Sequence, residues 1–187
     1  MSNPITTPPT PINMRPTGRY DGEIAFSNDI ATVVRGGADQ STVASELLPR
    51  FVQVLNLDAA GIVSPQRGQW RVESWSDATG IVPNPPSIGA LPIELIAGAI
   101  DSGTCSRDGQ WWAVPYQIGV DDHRIDPAPL IGCLVFRSEN DSLDRSLVRG
   151  ISQLFCSAIT WSQLDHRRRQ RIDQLTRVLE ASAKWQS

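Results

Sequence analysis

The amino-acid sequence predicts an α+β fold in which a central antiparallel sheet of five or six strands is flanked by helices. Two neighbouring pairs of short segments, each alternating or wholly apolar, are typical of antiparallel strands. Segments with apolar residues at helical spacing precede, separate and follow these pairs. The elements therefore run helix, helix, strand, strand, helix, strand, strand, helix, and no internal repeat interrupts the order.

Each element has its own signals. The helices are expected at 22–34, 39–56 and 91–101, with a long last helix capped by Asp141 or Ser142; the strands are expected at 59–64, 69–76, 110–118 and 130–137. Asp39 or Ser41 can cap the second helix, and Pro49 is expected to kink or break it near Leu48. Strand 130–137 is apolar on both faces, which predicts a central position in the sheet.

The arrangement of these elements follows from their apolar faces. We expect helices 39–56 and 142–165 on one face of the sheet. The other face is expected to be covered by helix 91–101 and by the loops 77–90 and 119–129. In the strand 69–76, strict alternation places Trp70, Val72 and Ser74 on one face; it places Arg71, Glu73 and Trp75 on the other.

Composition limits the function. The chain has 187 residues, 40% of them hydrophobic, so it can bury one core. The formal charge is 17 − 20 = −3, which argues against a direct nucleic-acid partner because phosphate binding needs a positive face. No apolar run reaches the roughly 18 residues that span a bilayer, and no secretory signal is present. With three widely spaced cysteines and no disulfide framework, we expect a cytoplasmic protein without membrane contact.

Three segments together resemble a GAF domain. They are ELLPRFVQVLNLDAAGIV (46–63), LPIELIAGAIDSGTCSRDGQWWAVPY (91–116) and LIGCLVFRSENDSLDRSLVRGISQLFCSAITWSQ (130–163). The resemblance implies a GAF/PAS-like sheet, with a short extra strand after the Ser-Gly turn and a long C-terminal signalling helix. Residues 22–165 then form the domain, after a disordered Pro/Thr-rich leader at 1–21.

The tail RRRQRIDQLTRVLEASAKWQS is similar to a linker in multidomain bacterial signalling proteins, such as enhancer-dependent transcription activators with an AAA+ motor. The similarity implies that residues 166–187 form a helical coiled-coil linker towards a further, output domain. We therefore expect a fragment of a longer regulator. The arginine cluster at 167–171 has no aromatic residues interleaved, and we interpret it as a solvated stretch of helix rather than a nucleic-acid or membrane site.

The resemblance also implies a small-molecule pocket between the sheet and the helix and loops that cover it. Trp111 and Trp112 are adjacent on one strand, so only one of them can face that cavity. The alternative is that the strand tryptophans serve only core or dimer packing. The pocket candidates are Trp75, Ile96, Ile100, Cys105, Trp112 and Tyr116.

The last helix carries a heptad seam, with alternating spacings of four and three from Leu147 to Ser182 over about five heptads. Asp165 and Arg168 interrupt it. We expect a parallel homodimer through this helix; the alternative is a first half packed on its own sheet and a solvated second half. The residues expected in the interface are Leu154, Trp161, Ile172, Leu175 and Leu179.

Signatures of cofactors are missing from the sequence. The N-K-x-F-D-E motif of cyclic-nucleotide-binding relatives, a glycine-rich phosphate loop and a Cys-His pair for a bilin are all absent. The segment D-D-H-x-x-D at 121–126 could hold a hard cation, although it lacks EF-hand spacing. We expect no cofactor and no metal.

A non-enzymatic sensory domain is the function that these patterns favour. It would dimerise and relay a small-molecule signal through its last helix to an output domain, with transcription regulation as the expected output. One alternative is a degenerate GAF module that only dimerises. Another is a cysteine-dependent sulfoxide reductase of the same fold, in which Cys105 would be the cysteine near the cavity and Arg107 its activating cation.

Overall fold

A computed structural model describes residues 19–66, 68–120, 129–140 and 143–185. Its helices are α1 Arg19–Arg35, α2 Gln40–Leu55, α3 Ile93–Ser102 and α4 Arg145–Trp185; its strands are β1 Ala59–Gln66, β2 Gln69–Asp77, β3 Gly80–Ile81, β4 Ser106–Asp108, β5 Trp111–Val120 and β6 Pro129–Arg137. Residues 1–18 of the expected leader lie outside this description. Helix α1 begins at Arg19, three residues before the expected domain boundary.

The six strands form one sheet in the order β3-β2-β1-β6-β5-β4, and every neighbouring pair is antiparallel. This confirms the predicted α+β architecture. Strand β6 lies between β1 and β5, as its apolar character predicted. Its side chains serve both faces: Leu134 and Phe136 enter one hydrophobic cluster, whereas Cys133 and Val135 enter the other.

Helices α1, α2 and α4 cover one face of the sheet, and α3 covers the opposite face. The larger core lies under the three helices and is centred on Phe51. The Phe51 ring centroid is 5.5 Å from that of Phe136 on the sheet and 5.3 Å from that of Phe155 on α4. Full burial of a phenylalanine side chain contributes about 1.5–3 kcal/mol to the stability of the fold. Because Phe51 of α2 contacts both the sheet and α4, its burial helps to hold the two helices on the sheet.

Helix α2 is capped at its N-terminus by Asp39, one of the two residues that the sequence predicted as its cap. The Asp39 carboxylate accepts a hydrogen bond from the Thr42 backbone N–H at 2.8 Å, and this bond lowers the pKa of Asp39. Asn56, with φ of 50°, ends the helix in the left-handed conformation. The helix continues through Pro49, so of the two predicted effects, a kink or a break, the break is wrong. Leu47, Leu48 and Phe51 are fully buried around the proline, and their packing stabilises the uninterrupted helix.

The open margin of β5 contains a proline. Strand β5 pairs with β6 along its length, but the short edge strand β4 accompanies it only from Trp111 to Ala113. Pro115, opposite Cys133, therefore lies where β5 has become the edge. Proline lacks a backbone N–H, and an edge position is where a sheet tolerates it.

Helix α4 is a single helix of 41 residues. Asp144 caps it, because its Oδ1 accepts hydrogen bonds from the backbone N–H groups of Ser146 at 2.8 Å and Leu147 at 3.4 Å. The predicted caps, Asp141 and Ser142, lie outside the described residues. Among the helices of the described ranges, none has the length and apolar character that crossing a membrane requires.

Candidate functional site

A β-bulge changes which tryptophans share a face. Between Ile62 and Val63 the pairing of β1 with β2 shifts by one residue, so Ile62 lies opposite Ser74 and Val63 lies opposite Val72. The extra residue on β2 is Glu73. The strict alternation that we predicted for this strand is therefore wrong: Val72 and Trp75 both pack in the cluster under α3.

Trp75 fills the centre of the layer between the sheet and α3. It is buried with Ile96 and Ala99 of α3, and its ring centroid lies 6.4 Å from that of Trp111. The ring lies so close to Gly61 that a Cβ there would collide with it. Of the adjacent pair on β5, Trp111 packs against this layer and Trp112 belongs to the opposite core.

An apolar cleft opens at the rim of this layer, between α3 and β2. Its volume is about 530 Å³. Its lining residues are Gln69, Trp70, Ile88, Ile93, Ile96, Ala97, Ile100 and Asp101. Trp70 is 38% exposed and Ile93 is 52% exposed, so both offer apolar surface to a ligand. Gln69 and Asp101 supply the polar groups, as small-molecule sites need.

Two of the six predicted pocket residues, Ile96 and Ile100, line this cleft. Trp75 borders instead a cavity between α2 and β2. Trp70 was not predicted to line a pocket, because the bulge that turns it towards α3 has no signal in the sequence.

The other three candidates face the opposite side of the sheet. Cys105 and Trp112 line a pocket of about 370 Å³ at the start of α4. Tyr116 lines a groove between β5 and α4. Burial raises the pKa of Tyr116 well above its ordinary range. The expectation of one shared cavity is corrected accordingly, since strand parity separates Trp112 and Tyr116 from α3.

The cysteine thiols are not activated. Burial raises the pKa of Cys105, and the nearby positive charge of Arg149 lowers it less strongly. Burial also raises the pKa of Cys133 to about 12 and that of Cys156 well above its ordinary range. A thiolate is the nucleophilic form, so these environments suppress thiol reactivity.

Three polar side chains connect β2 to α4 through α2. Gln40 Nε2 donates to Glu73 Oε2 at 2.8 Å, and Gln163 Nε2 donates to Gln40 Oε1. Ser64 and Gln66 of β1 donate to the other carboxylate oxygen of Glu73. The bulge thus places Glu73 at the head of a hydrogen-bonded chain that ends on the last helix.

Helix α4 presents two apolar surfaces. Ile151, Phe155 and Ile159 are buried against the domain. Exposed residues form a separate stripe, defined by Leu154, Trp161, Leu164, Ile172, Leu175 and Leu179. Ile151 and Ala158 belonged to the predicted seam but pack against the chain's own core, so the first half of the seam is split between the two surfaces.

Contacts between α4 and the domain extend to Arg169. Its guanidinium pairs with Asp165 at 2.7 Å and lies against Gly37 in the turn between α1 and α2. No cluster of three or more histidine, cysteine or acidic side chains suited to a metal occurs within the described ranges. The D-D-H-x-x-D segment at 121–126 lies outside them.

Comparison of the sequence with family models and with curated proteins finds no match. Comparison with solved structures finds GAF domains. A proposed GAF sensor protein from Burkholderia vietnamiensis matches with a TM-score of 0.59 at 13% identity, over 85% of this chain and 99% of that chain. The GAF domain of an Acinetobacter phosphoenolpyruvate-protein phosphotransferase matches with 0.57 at 10% identity, over 80% and 97%.

A third solved structure is the phycoerythrobilin-bound GAF domain of a cyanobacterial phytochrome. It matches with a TM-score of 0.53 at 16% identity, over 77% of this chain and 97% of that chain. At these identities the likeness concerns the fold, and it agrees with the six-stranded antiparallel sheet and the helices on its two faces. The protein therefore has the fold of a GAF domain.

Proposed function

We propose that this protein is a non-enzymatic sensory domain that dimerises through α4 and relays the binding of a small apolar molecule along that helix to an output domain. The observation that carries the proposal is the continuity of α4. One uninterrupted helix packs against the domain core at Ile151, Phe155 and Ile159, then continues to Trp185 with an exposed apolar stripe. A movement at its buried end would then be carried along the helix to its exposed end.

A second copy of α4 is the occupant that best fits the stripe. Ile172, Leu175 and Leu179 follow spacings of three and four, which is the pattern of a two-stranded coiled coil. They are 52%, 57% and 69% exposed. An isolated helix gains little from such residues, and a parallel partner would bury them.

The ligand site that we propose is the cleft between α3 and Trp70. Ligand binding can act only through different affinity for two arrangements of the domain. The cleft lies between two elements, so occupancy would favour one spacing of α3 and β2. From β2 the hydrogen-bonded chain Glu73–Gln40–Gln163 offers a route to α4. The mostly apolar lining favours a largely apolar compound, with one donor group for Asp101.

The thiol environments support the non-enzymatic part of the proposal. A cysteine-dependent reductase needs a thiolate near neutral pH, and the pKa values of Cys105, Cys133 and Cys156 are all raised. The proposal of an output domain is based on the tail at 167–187, which resembles linkers of bacterial transcription activators. We propose transcription regulation in the cytoplasm as that output.

One observation favours the module that only dimerises. Trp75 is buried in the layer under α3, in close contact with Gly61, and its indole ring takes up space that an enclosed ligand would need there. If the rim cleft binds nothing, the function reduces to association through α4. The two functions share the dimer and differ in the ligand, so two experiments separate them.

Sedimentation velocity of the whole chain tests the dimer. We expect the unchanged chain to be a dimer at high micromolar concentration and Leu175→Glu to be a monomer. The matched control is Gln174→Glu, which introduces the same side chain about 100° away round the helix and should remain a dimer. A monomeric unchanged chain at that concentration would refute dimerisation.

A thermal-shift screen against a metabolite library tests the ligand. We expect a stabilising compound whose effect on Tm is lost in Trp70→Ala and kept in Ile24→Ala. Both substitutions remove an exposed apolar side chain, but Ile24 does not line the cleft. If no compound stabilises the dimer, the dimerisation module is the remaining function.

A further inference from the structure

A basic pocket lies on the other side of the sheet, where α4 begins. It has a volume of about 370 Å³. Its lining residues are Thr104, Cys105, Arg107, Trp112, Arg145 and Arg149. Of the lining residues that the structure describes, half are arginines and none carries a carboxylate. The pocket shares no lining residue with the apolar cleft between α3 and β2.

Two of the arginines oppose the stability of their own helix. Arg145 is the first residue of α4 and Arg149 lies one turn later, so their like charges face each other. The positive end of a helix dipole disfavours cations, and the first turn of α4 holds no acidic residue. Within the described part of the chain, neither arginine forms an ion pair. The acidic cap, Asp144, is engaged with the N–H groups of Ser146 and Leu147.

The third arginine is held in place by its surroundings. Arg107 Nε donates to the backbone carbonyl of Gly109 at 2.9 Å. Its guanidinium carbon lies 5.0 Å from the centroid of the Trp112 ring, which fixes the planar group by a cation–π contact. A guanidinium with a fixed orientation loses less freedom when it binds an oxyanion.

One of the residues that line the pocket, Trp112, has a buried hydrogen-bond donor. Trp112 is 4% exposed, and its Nε1–H has no hydrogen-bond partner among the described residues. Its ring is stacked on Phe136, with the centroids 5.8 Å apart. Buried indole N–H groups normally have an acceptor. An oxygen atom of a bound anion would accept a hydrogen bond from this N–H group.

We propose that Arg107, Arg145 and Arg149 bind a small molecule that carries a phosphate monoester. Three guanidinium groups match a dianion better than a single carboxylate, and arginine binds phosphate in a bidentate manner. The volume of the pocket suits a metabolite rather than a polymer, and the net charge of −3 argues against nucleic acid. The bound phosphate would connect β4 to the beginning of α4.

Nuclear magnetic resonance of the ¹⁵N-labelled whole chain tests this site. Inorganic phosphate and glycerol phosphate are titrated at constant ionic strength, and succinate is titrated in parallel. The Trp112 indole N–H signal is assigned from its loss in Trp112→Phe. We expect a saturable shift of this signal with both phosphate compounds. Saturation by succinate at equal or lower concentration would overturn the phosphate assignment.

The arginine variants distinguish a site from general charge. We expect Arg149→Gln and Arg145→Gln each to weaken the apparent affinity for glycerol phosphate at least tenfold. The control Arg177→Gln removes the same charge about 42 Å further along α4 and should change it less than twofold. No saturable shift, or equal weakening by all three variants, would overturn the proposal.

Discussion

Contact between the indole ring of Trp75 and the backbone at Gly61 determines how β1 and β2 pack under α3. The glycine leaves no Cβ beneath the ring, so the tryptophan lies flat on the neighbouring strand. This arrangement depends on the bulge at Glu73, which turns Trp75 to the same face as Val72. A single extra residue thus decides which side chains fill the layer where a ligand would otherwise enter.

Replacing Gly61 with alanine is therefore expected to destabilise the protein. The added methyl group meets both the Trp75 ring and the Ser74 carbonyl, and overpacking of this kind costs about 1–3 kcal/mol. Urea unfolding measures the change. Gly98→Ala is the control, because it lies on exposed α3 surface with nothing within 4 Å. It should stabilise by about 0.5–1 kcal/mol through helix propensity, and equal effects of the two substitutions would contradict the packing argument.

The buried thiols predict a loss of stability in alkali. Burial raises the pKa of Cys133 from 9.0 to about 12, and that of Cys156 is raised as well. The unfolded thiols ionise first as the pH rises past about 9, so the free energy of unfolding falls above that pH and is unaffected below it. By pH 10 each thiol should account for about 1.4 kcal/mol.

Urea unfolding at several pH values between 8 and 10 checks this slope. In the double variant Cys133→Ala/Cys156→Ala the fall should be much smaller, although the variant is less stable at every pH because it leaves cavities. An identical fall in both proteins would assign the alkaline effect to other groups.

Among the elements, α4 serves both the domain and the surface beyond it. Its buried face follows the helical period of a globular core, and its exposed stripe follows the heptad period. The sequence did not predict that the heptad positions are divided between the two surfaces of α4, and the coiled coil itself stays a prediction. Ile151 and Ala158 fit both the helical period and the heptad period, so their spacing in the sequence does not assign them to one surface. They pack inward because the sheet lies on that side of α4.

Arg168 is the place where the stripe can be strengthened. It occupies a heptad position seven residues after Trp161 and seven before Leu175. We expect Arg168→Leu to tighten the proposed dimer at least tenfold, because it would fill a polar gap in an apolar seam and remove repulsion between like charges. The control Arg177→Leu lies nine residues later, on the opposite side of the helix, and should leave the dissociation constant unchanged. Sedimentation equilibrium provides both values, and tightening by Arg177→Leu alone would place the interface on another face.

At the scale of the whole molecule, the chain Glu73–Gln40–Gln163 connects the sheet to two helices. Gln163 is buried, and its Oε1 has no hydrogen-bond partner among the described residues. Its amide nitrogen therefore depends on Gln40. Such a shared network couples elements that are far apart in the sequence.

Removing the middle member should reveal that coupling. Gln40→Ala leaves the Gln163 amide without its acceptor, which is expected to destabilise by about 1–3 kcal/mol. Gln53→Ala, on the exposed surface of the same helix, should have an effect near zero. Urea unfolding compares the two variants. An effect of Gln40→Ala no larger than that of Gln53→Ala would mean that the network adds nothing to stability.

The architecture was predictable from sequence because it depends on the order of strongly periodic segments. Strand β6 is apolar on both faces, so it must lie in the middle of the sheet. Helix α2 has a broad apolar face, so it must pack on the sheet. The candidate site was less predictable. Its lining depends on a bulge at Glu73 and on the distance between α3 and Trp70, and neither is encoded by local periodicity.

The margins of the sheet discourage association by strand addition. Beyond its short partner β3, the outer edge of β2 carries the bulge at Glu73 and the charge of Arg71. Beyond β4, the outer edge of β5 carries Pro115, which has no amide hydrogen to donate. Natural sheets use these same obstacles against edge-to-edge aggregation. Copies of this protein that meet at high concentration should accordingly resist growth into cross-β fibres, because neither lateral border offers a straight run of unpaired amides among the residues that the structure describes.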